Sequence, residues 1–88
     1  MVIWVKLCED TRLLNDLTYE DYGPGSRTDK IMKALEEACK KFDLSVPIWL
    51  DVNINDFHRN SKTRFTKDSF IEHIDFDYLE LQVIEEDW

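Results

Sequence analysis

Apolar residues along the chain follow two periods. From Thr28 to Phe42, Ile31, Met32, Leu35, Ala38, Cys39 and Phe42 recur at offsets of one, three and four, which a 3.6-residue repeat gathers onto one face. The other face carries Lys30, Lys33, Glu36, Glu37, Lys40 and Lys41. Asp29/Lys33, Glu36/Lys40 and Glu37/Lys41 set acid before base at i,i+4, which adds a few tenths of a kcal/mol per pair. Ser26 with Asp29 three residues on resembles a capping box, Thr28 is the alternative N-cap, and Pro47 bars continuation at the far end. The spacing predicts a helix over about 28–42. Alone in water such a helix is marginal, so its apolar face needs a partner surface.

The second period is two. Ile3, Val5 and Leu7 alternate with Val2, Trp4, Lys6 and Cys8, and after a polar break at Glu9-Asp10-Thr11 a second alternation runs from Leu13 to Glu20. The two runs predict a hairpin, although its turn lacks an Asn-Gly type of signal. Tyr22-Gly23-Pro24-Gly25 marks the passage from hairpin to helix. Ile48 to Val52 predicts a short extended segment after Pro47, with Asn53 capping a turn of helix that buries Ile54 and Phe57. Lys62 to Thr66 leans to strand, and Asp68 caps a short helical turn. In Tyr78–Ile84, Leu79, Leu81 and Val83 face one way and Tyr78, Glu80, Gln82 and Ile84 the other. The expected fold is one α+β domain over 1–88, in two layers: an antiparallel sheet of about 3–5 strands, hairpin plus C-terminal strand, packed against one main helix.

Charge changes this picture more than length does. The net charge is −8. Residues 1–50 contribute −2, residues 51–67 contribute +2, and residues 68–88, with eight acids and no Lys or Arg, contribute −8. The total opposes nonspecific attraction to nucleic acid or anionic lipid. No run approaches the roughly 20 apolar residues of a membrane span, and Val2–Leu7 is too short and too interrupted by Lys6 for a leader. Cys8 and Cys39, without CxxC spacing, read as reduced thiols of a cytoplasmic protein.

Candidate chemistry is thin. Asp51, Asn53 and Asn55 begin like a calcium loop, but Asp56 stands where the turn needs Gly and Lys62 where the bidentate Glu belongs. On a strand, His73, Asp75 and Asp77 would share one face and offer a nitrogen and two carboxylates to a metal. The simpler reading is the solvated side of an approach to the last strand. His58 and His73 are possible bases and Cys8 and Cys39 possible nucleophiles, yet no elbow or glycine-rich loop surrounds them. We therefore expect no catalytic, cofactor or metal residues, and a protein that is not an enzyme.

Between Phe57 and Lys67 two aromatics, Phe57 and Phe65, interleave with Arg59, Lys62, Arg64 and Lys67. This pattern suits single-strand RNA through phosphate contacts and base stacking. It suits equally the pairing of these cations with the acidic segment 68–87, or contact with an acidic partner. Glu85, Glu86, Asp87 and Trp88 end the chain with charges that orient and an aromatic that can anchor.

Pro47-Ile48-Trp49-Leu50-Asp51, Asp56-Phe57, Lys62-Thr63-Arg64-Phe65 and Ile74 to Glu80 together resemble a group of small, acidic bacterial proteins of unassigned function. The resemblance implies a bacterial, cytoplasmic protein and carries no activity or site. The expected function is a noncatalytic protein-interaction or regulatory module, bound to another protein or to copies of itself, with Arg59, Lys62, Arg64, Lys67, Glu85, Glu86, Asp87 and Trp88 as its contact residues. The alternative is RNA binding through 57–67. Membrane association is not expected.

Overall fold

The computed structural model describes residues 1–87; Trp88 lies outside them. The alternation at the start of the chain forms β1 (Val2–Glu9), which pairs antiparallel with β2 (Arg12–Glu20). Asp10 turns the chain with a left-handed φ of 55°, a conformation that Asp tolerates better than most residues. This turn is fixed from outside: the Asp77 carboxylate accepts the Asp10 N–H at 2.5 Å, and the Asp77 N–H donates to the Cys8 carbonyl at 3.0 Å. The missing Asn-Gly signal is replaced by a distant residue.

Next comes α1 (Arg27–Phe42), capped by Ser26, whose hydroxyl accepts the Asp29 N–H at 3.1 Å. The helix does not run on to Pro47. It ends at Asp43, which takes a φ of 58°, donates to the Lys40 carbonyl, and lets Leu44 donate to Cys39 at 2.9 Å. The docked face is Ile31, Ala34, Leu35, Ala38 and Cys39, all buried. Two expectations at its borders reverse. Met32, expected in the core, is 37% exposed, while Lys30, expected in solvent, is only 2% exposed. Both flank the docked stripe, and the loop after β2 closes over Lys30.

The segment after Pro47 also differs from expectation. A helix, α2 (Asp51–Asn60), begins within the stretch predicted to be extended, so Asn53 sits in its first turn and not ahead of it. There the Asn53 carbonyl oxygen accepts the Leu50 N–H at 3.0 Å and the Ser69 hydroxyl at 3.4 Å. Its amide donates to Thr63 Oγ1 at 3.0 Å and to the Arg64 carbonyl at 2.9 Å. All four hydrogen-bonding positions of a buried side chain are thus filled. β3 (Lys62–Phe65) follows, then a 3-10 turn over Lys67–Ser69, then β4 (Tyr78–Glu85).

The four strands form one antiparallel sheet in the order β2-β1-β4-β3. Ile3, Val5, Leu79, Leu81 and Phe65 on its inner face form one buried core with Ile31, Ala34, Leu35, Ala38 and Cys39 of α1, and Phe57 and Phe70 extend it. Trp49 packs edge-on against Phe57 and Phe65 at 5.7 and 5.0 Å, while Trp4 stands on the outer face and Tyr19 on the inner. The expected two-layer α+β fold is the observed one, with four strands and a second helix. Both sheet edges are blunted by helix side chains, Lys41 on the Asp16 carbonyl of β2 and Asn53 on the Arg64 carbonyl of β3. No helix among the described residues is long and apolar enough to cross a membrane.

Replacing Asn53 by Ala leaves buried donors and acceptors of α2, β3 and the 3-10 turn unpaired. We expect a loss of about 2–3 kcal/mol in urea unfolding, against under about 0.5 kcal/mol for exposed Asn55→Ala. Equal effects would contradict this role for Asn53.

Candidate functional site

Of the basic residues predicted as contacts, Lys62 and Arg64 lie two apart on β3 and share its outer face. Arg64 points from the outer sheet face and pairs with Glu80 at 3.0 Å, whereas Arg59, Lys62 and Lys67 have no ion-pair partner among the described residues. The acidic end also divides. Glu86 takes Arg27 in a bidentate pair, both bonds 2.9 Å, and Asp87 joins two ammonium groups, that of Lys30 and the amino group of Met1, each at 2.5 Å. Lys30 also donates to the Gly23 carbonyl at 2.6 Å and to the Asp21 carbonyl at 3.4 Å, so all three donors of its buried charge are used. Glu85 remains exposed and has no ion-pair partner among the described residues. Glu86 and Asp87 therefore clasp the C-terminal strand to α1. Trp88 lies outside the described residues.

The outer sheet face has no helical layer, and a row of alternating charge crosses it. Cross-strand register aligns Asp16, Lys6, Glu80 and Arg64 on β2, β1, β4 and β3. Lys6 and Arg64 bond the two carboxylate oxygens of Glu80 at 2.5 and 3.0 Å. The Trp4 indole donates to Asp16 at 2.9 Å, Lys6 lies 4.2 Å from the Trp4 ring, and Arg64 lies 4.3 Å from the Tyr78 ring. Glu80 is consequently buried. Burial pushes its carboxyl up, but Lys6 and Arg64 together outweigh that and hold it below the ordinary glutamate value. Arg27 lowers Glu86, and Lys30 with the terminal amine lowers Asp87.

Other predicted residues lose their proposed chemistry. Phe57 and Phe65 are core residues, so neither ring is open to a stacked base. Residues 71–77 are not a strand: exposed His73 and Asp75 pair with each other at 3.0 Å, and Asp77 holds the hairpin turn. Among the described residues no group of three or more His, Cys, Asp or Glu side chains gathers as metal ligands. Burial raises the Cys39 thiol to about 11, which keeps it protonated and a poor nucleophile.

Two apolar features escaped the sequence reading. Between α1 and α2 an open groove of about 310 Å³ is lined by Ile31, Met32, Trp49, Ile54 and Phe57, with Arg27, Thr28 and His58 at its margin. In the loops, the Ile48 N–H donates to the Ser69 carbonyl at 2.7 Å and the Ser45 N–H to Glu72 at 2.9 Å. These bonds lay 45–48, with exposed Val46 and Ile48, beside 69–72, with Ile71, which is 90% exposed. No short periodic pattern carries either feature, because each joins segments distant in sequence. Comparisons with protein-family models, with curated proteins and with solved structures return no match.

Glu80, Glu86 and Asp87 each have a folded-state pKa below the unfolded one, so their contribution is present above about pH 4.5 and is lost as pH falls through the folded values. We expect a melting temperature that is level from pH 7 to about 5 and declines below it. Glu80→Gln should cost about 2 kcal/mol at pH 7 and flatten the acid limb. An unchanged acid limb in the variant would show that Glu80 does not drive it.

Proposed function

We propose that the chain is a noncatalytic interaction or regulatory module that works by binding another protein in the bacterial cytoplasm. One observation carries this reading: where the exposed aliphatic side chains lie. Met32, Val46, Ile48, Val52, Ile54 and Ile71, on the helices and their connecting loops, are between about a third and nine-tenths exposed, while Leu13, Leu14 and Ile84 on the strands are about half exposed. Neighbouring exposed aliphatics are a feature of contact surfaces. The uncovered sheet face offers less, because its central cations and carboxylates already satisfy one another. Cys8 on the outer face of β1 and Cys39 on α1 against the inner face cannot reach each other across the sheet, and two unbridged thiols fit a reducing compartment.

The test is affinity capture of the tagged full chain from its own cells, with and without nuclease. The reading predicts a protein recovered in near-stoichiometric amount and unaffected by nuclease. Recovery of the chain alone, or of material that disappears with nuclease, contradicts it.

A further inference from the structure

We propose that the pole formed by segments 43–52 and 66–77 is a docking surface for a basic, aliphatic-bearing segment of another protein. The inference rests on the interaction reading above and names the partner's chemistry. The segments that carry Val46, Ile48 and Ile71 are joined by the hydrogen bonds from Ile48 to Ser69 and from Ser45 to Glu72, and Val52 follows in the first turn of α2. They are about half exposed or more, Ile71 almost wholly so.

The charge around them is one-sided. The two segments hold Asp43, Asp51, Asp68, Glu72, Asp75 and Asp77 against the single cation Lys67, a net of −5 within a chain whose total is −8. Asp43, Asp51, Asp68 and Glu72 are exposed, stand within three residues of an exposed aliphatic, and have no ion-pair partner among the described residues. Carboxylates without an ion-pair partner among the described residues also occur elsewhere, at Glu85 for example, but three others are paired. Glu80, Glu86 and Asp87 are all consumed by internal cations. An apolar centre with an unpaired acidic rim is complementary to a segment whose aliphatic side chains are flanked by Lys or Arg. The same charge opposes a second copy on this surface, since self-association would bring two such rims face to face.

The test uses the 15N-labelled full chain and two fluorescent peptides, one alternating lysine with leucine and one alternating lysine with serine. The lysine–leucine peptide should bind about tenfold tighter than its serine counterpart. Its amide shifts should centre on 45–52 and 68–73, and its affinity should fall as salt rises. Ile71→Ser, at an exposed position, should weaken the lysine–leucine peptide about tenfold, and Asp43→Asn with Asp68→Asn should weaken both peptides and reduce the salt dependence. Equal affinity for the two peptides, shifts centred on the α1/α2 groove or the outer sheet face, or no binding at low salt would overturn the proposal. Concentration-dependent dimerisation abolished by Ile71→Ser would overturn it in favour of a self-contact. If wild type and Ile71→Ser capture the same cellular partner equally, this surface is wrong while the interaction reading survives; if neither captures any protein, that reading fails by itself.

Discussion

A four-stranded sheet has two faces, and this chain supplies helices for one. The constraint that organises the molecule is therefore how the other face meets water without leaving strands of mixed polarity loosely covered. The solution is the Lys6–Glu80–Arg64 contact, extended to Asp16 through the shared cross-strand register. Glu80 bonds both neighbours, and the Lys6 and Arg64 charges lie against Trp4 and Tyr78, so rings and stems cover the backbone beneath them. An ion pair this dehydrated stabilises only when its remaining bonds are made. Here both carboxylate oxygens are used.

The same logic of pairing recurs at the chain's end. Lys30 is buried at a border of α1 because the Gly23 carbonyl and Asp87 surround its ammonium group. Glu86 does the same for Arg27 in the open. A tail that looks like a solvated acidic run is thus a structural fastening between β4 and α1. Acidic residues without an ion-pair partner among the described residues include Asp43, Asp51, Asp68 and Glu72, in segments 43–52 and 66–77.

Local periodicity made much of this legible. The α1 repeat, the alternation of β1 and β4 and the Ser26 cap all reappear in the structure, because each depends on neighbours within a turn or a pleat. The start of α2 was not legible: Ile48 to Val52 alternates like a strand, and what favours the helix is a set of bonds from Asn53 to Leu50, Thr63, Arg64 and Ser69. Lys30 reads as solvated for the same reason, its partners being 7 and 57 residues away. The candidate site was the least legible part. Charge segregation was visible, but which charges cancel depends on sheet register, and the joining of 45–48 to 69–72 depends on loops crossing.

The claim on which this account turns is that the outer sheet face is held by its own charges. A double-mutant cycle with Lys6→Met and Glu80→Gln, read by urea unfolding at pH 7, measures it directly. The account predicts a favourable coupling energy above about 1 kcal/mol, larger than exposed surface pairs give. A coupling below about 0.3 kcal/mol would contradict it, and would make the row a consequence of the sheet and not a cause of its stability.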